Sequence, residues 1–448
     1  MEHDPNLMEK IVSLAKRRGF VFQGSDIYGG LAGIYDYGPL GVELRHNIKQ
    51  YFWKTFISDR EDIYGMSAAI LMPEKVWQAS GHTELFTDPL VECKICHERV
   101  RADQPEAISD HEKTHKEKVE WSEARVFNLL VETKLGASEK TATTVYLRGE
   151  ITQGVHVNFK NILDSMHPKL PFGIGQIGKA FRNEITPRDF LFRQREFEQM
   201  EIQYYVKPEE KSAQATFDEW KETALNWYIG LGFRKENLRL RQHALDERAH
   251  YAKDAWDIEY NMPGVGWKEA WGIHHRGDWD LRRHSEYSSV DLSYFDEETK
   301  EHYIPWDIEC SGGVDRAVLF TLLEAYREEK LEDDTRVYLK LAPHIAPVLA
   351  CVSPLLKNKP ELVEKARTLY QALKKHFGRI AYDDNGNIGK RYRRQDEIGT
   401  PWCITVDFDT LGENKELLDT VTLRNRDTGE QERVAIGDEL IAALSRGL

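Results

Sequence analysis

The chain has 448 residues, which at roughly 100–200 residues per domain predicts two or three domains. No apolar run approaches the roughly 18 residues that a membrane span needs, and the charged N-terminus lacks a secretory signal. A cytoplasmic protein without membrane contact is therefore expected. The formal net charge of −14 excludes a uniformly basic nucleic-acid binder but permits local basic patches. The five scattered cysteines argue against a disulfide framework.

The first quarter of the chain is predicted to fold as helix, glycine-rich loop, helix and strand, over residues 8–20, 29–41, 42–57 and 63–72. The second helix carries one apolar stripe, formed by Leu44, Ile48, Phe52 and Phe56. Pro73 is expected to end the strand. The His-rich, highly charged residues 93–140 differ from their surroundings and are predicted to be an insertion.

Residues 141–320 are predicted to be rich in strands. The strand-like runs are TTVYL, VHVNF, KAFRNEI and a long stretch that ends in MEIQYYV, and strands rich in Trp, Tyr and Ile follow residue 255. Helices are predicted over residues 212–232 and 314–329.

The acidic patch EEKLEDD (328–334) is predicted to link two domains. Beyond it, strands alternate with a helix over 361–377 and with a final helix, a pattern typical of a small α/β domain. The predicted domains are therefore residues 1–335 and residues 336–448.

The most informative local pattern is FRNEITPRDFLFRQREFEQME (181–201), which predicts a strand, a polar turn and a second strand. It presents arginines and carboxylates on one face, at Arg182, Glu184, Arg193 and Glu201. Arginine forks suit phosphate oxygens, and the interleaved phenylalanines would give a base an apolar wall. The alternative is a surface hairpin held by weak salt bridges.

Two further segments carry candidate chemistry. In DIECSGGVDRAVL (307–319) a strand ends in a small-residue turn, and Arg316 occupies the first turn of the helix that follows, where anions are favoured. Glu269 precedes IHHRGDWDL (273–281) and could hold Mg²⁺ against phosphate oxygens. The alternatives are an ordinary strand-to-helix turn and a solvated loop.

These three segments, in this order, resemble the signature motifs of class II aminoacyl-tRNA synthetases. The helix and strand before Pro73 resemble the first motif, which forms the dimer interface in that class. Residues 181–201 resemble the second motif and residues 309–319 the third. Longer matches, which include GGLAGIYDYGPLG, GKRYRRQDEIGTPWCITVDF and VTLRNRDTGEQERV, resemble the homodimeric type of glycyl-tRNA synthetase over nearly the whole chain.

The resemblance implies an α+β fold in which helices flank an antiparallel catalytic sheet, with a C-terminal α/β anticodon-binding domain. It implies a cytoplasmic homodimer that activates glycine with ATP and Mg²⁺ and transfers it to tRNA(Gly). It assigns catalytic roles to Arg182, Glu184 and Arg316. The implied ATP-binding residues are Arg182, Asn183, Glu184, Phe192, Arg193, Phe197, Glu269, Ala270, Gly313 and Arg316, of which Glu269 also holds Mg²⁺. The implied glycine-binding residues are Arg101, Glu150, Glu198, Glu201, Arg276, Glu309 and Ser311.

Glycine has no side chain to recognise, so we expect selectivity from carboxylates that bind its ammonium group and from the lack of space at Cα. Steric exclusion of larger amino acids needs no separate editing site, and the chain shows no obvious editing domain. Attack of the glycine carboxylate on the α-phosphate depends mainly on positioning and charge stabilisation. No residue stands out as the general base for transfer to tRNA.

The chain departs from the family where the strand around Arg148 usually reads Arg-Pro-Glu-Thr-Ala-Gln-Gly. Here it reads RGEITQG (148–154), so Gly149 and Ile151 replace the usual Pro and Thr. The ligand groups survive, and activity is expected.

A second departure concerns the insertion. The family often has a second cysteine pair, whereas here the pattern is C-x2-C-x14-H-x3-H, formed by Cys93, Cys96, His111 and His115. This is close to tetrahedral zinc-ligand spacing, and histidines four apart share one helix face. Two interpretations stay open: a Zn²⁺ site, or a vestigial cysteine pair beside solvated histidines.

The C-terminal part contains a basic cluster with aromatic residues nearby, formed by Lys390, Arg391, Arg393 and Arg394. Basic residues with interleaved aromatics suit unpaired anticodon bases, and the alternative is a solvated basic turn. Two other functions remain: a synthetase for proline, threonine or serine, and a non-catalytic synthetase-like nucleic-acid binder. Such binders usually lose the motif arginines and acids, which are all present here.

Overall fold

The structure is a computed structural model that describes residues 4, 6–138, 141–185, 187, 189–248, 252–332 and 334–448. Thr186 and Arg188 of the predicted arginine-rich hairpin lie outside the described residues, as do Glu139 and Lys140 at the end of the predicted insertion. Within the described part of the chain, no helix combines the length and the apolar character that a membrane crossing requires.

A seven-stranded sheet is the centre of the larger part of the molecule. In spatial order its strands are Leu238–Gln242, Asp254–Met262, Gly266–Gly277, Trp306–Gly313, Glu196–Val206, Phe172–Phe181 and Ile63–Met66. Neighbouring strands run antiparallel, except that Ile63–Met66 pairs in parallel with Phe172–Phe181 at one edge. The expected antiparallel sheet is present, and the α+β class is confirmed.

Helices pack on this sheet because each has an apolar stripe that the strands can bury. Helix Pro39–Trp53 continues into one π-helical turn, Lys54–Ser58. The predicted stripe is fully buried, at Leu44, Ile48, Phe52 and Phe56. Each such side chain contributes roughly 1.5–3 kcal/mol of hydrophobic stabilisation. Helices Glu210–Gly230 and Val314–Ala325 share the same core.

The stretch 63–72 is not one strand, as its apolar character predicted. It forms two short strands, Ile63–Met66 and Leu71–Pro73, which belong to different sheets. Residues 67–70 leave the first sheet, and Gln176 holds this turn because its side-chain oxygen accepts a hydrogen bond from the Ala68 amide (2.9 Å).

The predicted strand VHVNF (155–159) is helical. Helix Thr152–His156 ends within it, and helix Phe159–Met166 begins at its last residue. Val155 and Phe159 are both fully buried and are four residues apart, a spacing that brings two side chains to one side of a helical segment. The β-branched composition favoured a strand, but this helical spacing decides the local structure.

Two three-stranded sheets lie between the first and second motifs. One contains Leu71–Pro73, Thr143–Leu147 and Val131–Leu135, and the other contains Arg99–Arg101, Thr87–Glu92 and Arg125–Asn128. Short helices join them, over Glu74–Ala79, His82–Leu85 and Pro105–Glu112. The segment predicted as an insertion, 93–140, supplies part of both sheets, but the second sheet already starts at Thr87.

The acidic patch 328–334 is part of a hairpin rather than an unstructured linker. Helix Val314–Ala325 ends earlier than predicted, and strand Tyr326–Lys330 pairs antiparallel with Thr335–Leu339. Lys10 Nζ donates to Glu328 (2.8 Å), so the N-terminal helix Leu7–Arg18 is tied to this hairpin.

The C-terminal part contains a five-stranded sheet, in the order Ile380–Tyr382, Ala350–Pro354, Trp402–Val406, Thr420–Asn425 and Gln431–Ala435. The first three strands run parallel and the last two antiparallel. The helices of this part are Pro360–Phe377, Ile388–Glu397 and Asp438–Leu444. The predicted α/β pattern is confirmed, although the second of these helices was not predicted.

The remaining elements are short. Strands Val21–Gln23 and Tyr35–Tyr37 pair with each other, as do Tyr294–Asp296 and Glu301–Tyr303, and helix Trp279–Ser288 follows the third sheet strand. Single 3₁₀ turns occur at Asp26–Tyr28, Phe190–Phe192, Lys235–Asn237, Asp409–Leu411 and Lys415–Leu417.

The glycine-rich loop packs against the arginine-rich hairpin. Gly33 has a φ of +72°, and a Cβ there would lie 2.5 Å from the Pro187 Cβ, so only glycine fits. Its carbonyl accepts a hydrogen bond from the Arg195 amide (2.8 Å). The loop therefore fixes the start of strand Glu196–Val206.

Candidate active site

A cavity of about 400 Å³ opens on one face of the seven-stranded sheet. Strands Glu196–Val206, Gly266–Gly277 and Trp306–Gly313 contribute to its wall, and helix Val314–Ala325 begins at its edge. The predicted site residues that line it are Arg101, Arg182, Glu184, Phe192, Arg193, Phe197, Glu269, Ser311, Gly313 and Arg316. The fold therefore brings together side chains that are up to 215 positions apart in the sequence.

Arg182 follows directly after strand Phe172–Phe181, at the cavity wall. Its guanidinium carbon lies 5.1 Å from the Phe86 ring centroid and 5.2 Å from that of Phe197. Its Nε donates to the Gly149 carbonyl (3.0 Å). These contacts hold a flat cationic group beside an aromatic surface, which suits a phosphate next to a stacked base.

Arg316 and Glu269 form an ion pair on another wall of the cavity. Arg316 Nη1 lies 3.1 Å from Glu269 Oε1, and the guanidinium carbon lies 4.5 Å from the Phe192 ring centroid. The charge of Arg316 lowers the pKa of Glu269. An ionised carboxylate and a guanidinium are therefore available side by side, one for a cation and one for an anion.

The inner end of the site is a buried row of polar side chains on one sheet face, next to the cavity that Ser311 lines. Four predicted ligands are buried here and do not themselves line the cavity, namely Glu150, Glu201, Arg276 and Glu309. In the strand register Glu201 is opposite Ser311 and Gln203 is opposite Glu309, so alternation places all four on the same side. Ser311 Oγ donates to Glu201 Oε1 (2.8 Å). Thr152 Oγ1 lies 2.7 Å from Glu201 and 3.1 Å from Glu309.

Arg276 and Glu150 complete this inner end. Arg276 Nη1 donates to Glu309 Oε2 (2.9 Å), and its Nε and Nη2 donate to the two carboxylate oxygens of Asp280 (2.7 and 3.0 Å). Glu150 Oε2 lies 3.2 Å from His82 Nε2, and Glu150 accepts a hydrogen bond from Gln153 (2.9 Å). Arg276 is therefore a bridge between two acids.

The buried acids have different protonation states. Burial and the charges of Glu309 and Glu150 raise the pKa of Glu201 to about 8. Burial also disfavours ionisation of Glu309, but Arg276 and His274 outweigh it and lower its pKa to about 2. The pKa of Glu150 is likewise lowered, because His82 and Arg276 outweigh the effect of burial. Glu309 and Glu150 are ionised at neutral pH, and Glu201 is protonated.

The structure places some predicted ligands elsewhere. Glu198 is on the opposite face of its strand from Glu201, where it pairs with Arg45 (3.0 Å) and Lys49 (3.1 Å). The two acids are an odd number of residues apart, so strand alternation separates them. We therefore leave Glu198 out of the glycine site.

Three further predicted residues lie at the margin or outside the cavity. The Ala270 side chain is buried in the hydrophobic core, on the face opposite Glu269. The Asn183 amide donates to the Leu129 carbonyl (2.8 Å). Arg101 reaches the cavity but pairs with Asp88 and Asp103 (2.7 Å each).

Sequence reasoning missed Thr152, Gln199 and His274. Gln199 lines the cavity, and His274 Nδ1 lies 2.6 Å from Glu309 Oε1. A signal existed for Gln199, because it is two residues from Glu201 and shares its strand face. Thr152 lies on a short helix, where no strand alternation could have indicated it.

The four predicted zinc ligands converge in the structure. Cys93 Sγ lies 3.7 Å from His115 Nε2, Cys96 Sγ lies 3.5 Å from His111 Nε2, and the two imidazole nitrogens are 3.2 Å apart. All four ligand atoms lie within 4.8 Å of one another. His111 Nδ1 also lies 3.4 Å from Glu98, the kind of contact that orients a metal-bound histidine.

The basic C-terminal cluster is divided between surface and interior. Arg391 is 1% exposed, and its guanidinium donates to the carbonyls of Pro354, Asp384 and Gly386. Arg394 forms a two-bond pair with Asp383 (3.0 and 2.9 Å). Lys390 is exposed and Arg393 is half-buried. Arg391 therefore cannot contact tRNA in this structure, contrary to the prediction.

A largely antiparallel sheet that carries an arginine-rich hairpin, and a last strand that leads through Ser-Gly-Gly into a helix with Arg316, define a class II aminoacyl-tRNA synthetase core. The family model described as tRNA synthetase class II core domain (G, H, P, S and T) matches residues 135–394. A second model, described as Anticodon binding domain, matches residues 350–446.

Curated relatives identify the family within this class. The chain is 48% identical to a glycine–tRNA ligase of Caldanaerobacter subterraneus subsp. tengcongensis, with 96% of each chain covered. It is 48% identical to that of Geobacillus kaustophilus, with 96% of this chain and 97% of the relative covered, and 47% identical to that of Bacillus anthracis with the same coverage. The chain belongs to the glycine–tRNA ligase family.

Proposed function

We propose that this chain ligates glycine to tRNA(Gly) at the cavity described above. Glycine and ATP first give glycyl-adenylate and pyrophosphate, and the glycyl group then passes to the 3′ end of the tRNA. The observation that carries this proposal is a cavity lined by Arg182, Ser311 and Arg316. Ser311 is hydrogen-bonded to the buried Glu201, and the Thr152 hydroxyl links Glu201 to Glu309.

The inner end suits the ammonium group of glycine. Glu309 and Glu150 supply negative charge, and the hydroxyls of Thr152 and Ser311 keep the Glu201 carboxyl in position. All three acids are at most 9% exposed, so an ammonium group there exchanges water for charge-assisted hydrogen bonds. The closed packing around these acids supports exclusion of larger amino acids by size.

The outer part suits ATP and Mg²⁺. The oxygen of the ionised Glu269 carboxylate is the type of ligand that Mg²⁺ prefers, so Glu269 fits the role that the family implies. When bound there, Mg²⁺ would neutralise part of the triphosphate charge. Arg182 lies near Phe197, which supports adenine stacking beside the α-phosphate. The position of Arg316 in the cavity wall supports a contact with the terminal phosphate.

The first step requires positioning more than proton transfer. A carboxylate oxygen of glycine attacks the α-phosphorus, and the bond from that phosphorus to the bridging oxygen of pyrophosphate breaks. The guanidinium of Arg182 stabilises the charge that develops on the α-phosphate oxygens, because it is already oriented by Phe86, Phe197 and the Gly149 carbonyl.

Exchange of labelled pyrophosphate into ATP tests this function. We expect exchange that depends on glycine and is at least about 100-fold weaker with alanine, serine, threonine or proline, since a pocket can reject larger ligands strongly. Exchange supported by one of those amino acids instead of glycine would refute the proposal. A tRNA mixture charged with labelled glycine then tests the second step.

We further infer that Cys93, Cys96, His111 and His115 hold one Zn²⁺. Two thiols and two imidazoles whose ligand atoms lie within 4.8 Å of one another form the donor set of a structural zinc site. Cys93 and Cys96 lie in the connection between strands Thr87–Glu92 and Arg99–Arg101. Arg101 lines the cavity, so the ion would stabilise that wall. Elemental analysis of protein purified without chelator should find zinc that the Cys93→Ser/Cys96→Ser variant lacks.

We also infer a homodimer and a division into domains 1–335 and 336–448. Apolar side chains of the predicted interface are partly exposed in the single chain, namely Val42, Ile70 and Leu71. A separate hydrophobic core that begins at Leu349 supports a C-terminal domain. In that domain the exposed Lys390 and the half-buried Arg393 are the proposed tRNA contacts.

A further inference from the structure

Behind the proposed glycine pocket, three side chains direct polar atoms at one shared space. His156 Nε2 lies 3.6 Å from Asp307 Oδ2 and 3.7 Å from Asp280 Oδ2. All three side chains are at most 2% exposed. They come from three elements: helix Thr152–His156, the start of helix Trp279–Ser288, and strand Trp306–Gly313.

Several atoms of this cluster have no hydrogen-bond partner among the described residues, namely His156 Nε2 and both carboxylate oxygens of Asp307. The other groups of the cluster are engaged. His156 Nδ1 lies 3.1 Å from the Tyr205 hydroxyl, and both oxygens of Asp280 accept from Arg276. A fully buried carboxylate without hydrogen bonds is destabilised, and a proton, a water molecule or a cation can each compensate for this. The nearest cationic group to Asp307 Oδ2 in the cluster is Arg276, whose Nε lies 4.0 Å away.

The charge of the surroundings indicates what kind of ligand this is. Carboxyl groups other than the protonated Glu201 dominate the buried region, at Glu150, Glu309, Asp280 and Asp307. The guanidinium of Arg276 offsets part of their charge. A bridging water molecule would satisfy the unpaired atoms but leave the excess of negative charge. A divalent cation would do both.

The donor set selects among divalent cations. One imidazole nitrogen with two carboxylate oxygens suits Zn²⁺ or a similar transition metal, whereas Mg²⁺ prefers oxygen ligands and keeps several waters. Tetrahedral Zn²⁺ with bonds of about 2.0–2.1 Å places its ligand atoms roughly 3.4 Å apart. The observed separations of 3.6 and 3.7 Å need only a slight contraction. The contact of His156 Nδ1 with Tyr205 leaves Nε2 directed at the two carboxylates, as in metal-bound histidines.

We propose that His156, Asp280 and Asp307 form a second, fully buried binding site for a zinc-type divalent cation. The site is distinct from the Cys93 site and from the ATP cavity. None of the three side chains lines the ATP cavity, so the role of the ion is structural.

The ion would also position the glycine site, a consequence that rests on the proposed function. It holds Asp280, whose two oxygens bind Arg276, and Arg276 in turn holds Glu309. Loss of the ion should therefore raise the KM for glycine several-fold and change the KM for ATP little. His156, Asp280 and Asp307 are positioning residues in this scheme.

Zinc content separates the two sites. Elemental analysis is made on the full-length protein purified without chelator, on Asp307→Asn, on Cys93→Ser/Cys96→Ser, and on the variant that combines all three changes. We expect two zinc ions per chain in the parent, one in each of the first two variants, and none in the combined variant. Unchanged zinc in Asp307→Asn would overturn the proposal.

Replacement of zinc by cobalt gives an independent spectroscopic test of the second site. Co²⁺ bound to the parent shows thiolate charge-transfer absorption from the cysteine site. Co²⁺ bound to Cys93→Ser/Cys96→Ser should lack that absorption and keep weak d–d bands, which Asp307→Asn then removes. Absence of any cobalt spectrum in the cysteine variant would also overturn the proposal.

Thermal stability distinguishes an ion from a water molecule. If the ion is bound, Asp307→Asn lowers Tm. In the Cys93→Ser/Cys96→Ser background a chelator then lowers Tm, and adding Asp307→Asn abolishes this effect of the chelator. Without the ion, Asp307→Asn removes an unpaired buried carboxylate and raises Tm, which would contradict the proposal. Asp164→Asn, an exposed aspartate on a neighbouring helix, is the control for the amide change. Glycine-dependent pyrophosphate exchange is measured separately, so failure of the metal site and failure of the proposed function are distinguishable.

Discussion

Glu201 is an acid whose protonation depends on whether the site is filled. Its raised pKa of about 8 reflects burial and the neighbouring charges of Glu309 and Glu150. An ammonium group beside it reverses that effect, because an opposite charge favours the ionised form. For the proposed glycine site this predicts that glycine binding converts Glu201 from a neutral hydrogen-bonding group into an ionised carboxylate.

This coupling predicts the pH dependence of glycine binding. Below a pH of about 8 glycine must displace the proton of Glu201, so the KM for glycine in pyrophosphate exchange should fall as pH rises from 6 to 8. The slope should be at most about tenfold per pH unit, since one proton is released. In Glu201→Gln the KM should be higher and independent of pH in this window. A parent KM that does not change with pH would contradict the assignment.

Glu201 also affects stability. Its folded pKa of about 8 lies above the ordinary value of 4.5, so the folded state binds more protons between these two values. The free energy of unfolding therefore falls as pH rises through this window. We expect Glu201→Gln to raise Tm by ~2–5 °C at pH 8.5 and to change it little at pH 4.5. Glu219→Gln, at an exposed position, should show no such difference.

Arg182 should be essential for the chemical step. Arg182→Ala removes a guanidinium that two aromatic rings and a carbonyl hold in place, and we expect exchange to fall by ~10²–10³-fold. Arg239→Ala, at a half-exposed arginine on the far edge strand, should retain activity. An Arg182→Ala protein that charges tRNA at the full rate would remove this role.

At the scale of single residues, the sequence predicted which charged residues form the site better than it predicted the face on which each side chain lies. Arg182, Glu269, Ser311 and Arg316 line one cavity as predicted. Glu198 does not, because one strand alternates between the cavity and the helix that carries Arg45. The odd spacing of Glu198 and Glu201 already indicates opposite faces once both are assigned to one strand, so this correction could have been made from the sequence.

Helix Ile388–Glu397 was not predicted, because its sequence is highly charged and lacks an apolar pattern. Its residues KRYRRQDE look like a solvated basic turn, yet Arg391, Gln395 and Asp396 are buried. The helix is fixed by polar contacts, which a hydrophobic pattern cannot reveal. Asp396 accepts hydrogen bonds from Arg336 (2.8 Å) and Arg424 (2.8 Å). The predicted C-terminal strands, by contrast, were recognisable because their apolar runs are short and β-branched.

This helix carries both a buried basic residue, Arg391, and an exposed one, Lys390, for which substitutions should have different effects. Arg391→Met leaves the carbonyls of Pro354 and Asp384 without their donor and should destabilise the C-terminal part by ~2–4 kcal/mol, measured by denaturant unfolding. Lys390→Ala should leave stability unchanged, weaken tRNA charging several-fold and spare glycine-dependent exchange. The prediction fails if Arg391→Met is as stable as the parent.

On the scale of the whole molecule, polar contacts join the two cores. Arg18 of the N-terminal helix pairs with Glu397, and Arg336 of the hairpin pairs with Asp396 (2.8 Å). Arg393 of the C-terminal part lies 3.3 Å from Asp334 of the acidic patch. The acidic patch resembled a linker in sequence because its residues are charged, but these long-range pairs make it part of a continuous structure.

A homodimer predicts a mass in solution of twice the 52.0 kDa of the chain. Sedimentation equilibrium or light scattering measures this directly. Val42→Asp/Leu71→Asp, which adds charges at exposed apolar positions of the expected interface, should shift the protein towards the monomer. Leu245→Asp, at an exposed leucine elsewhere, should leave the mass unchanged. A monomeric parent would contradict the inference.

The concentration of acids at the inner end of the cavity affects handling as well as catalysis. Like charges gathered away from water repel one another until an ammonium group arrives, so the substrate should act as a counter-ion that holds the fold together. Protein stored in glycine-containing buffer should retain its activity longer than protein stored in a buffer that contains only salt. Alanine, which the proposed glycine site should exclude by size, should give no such protection.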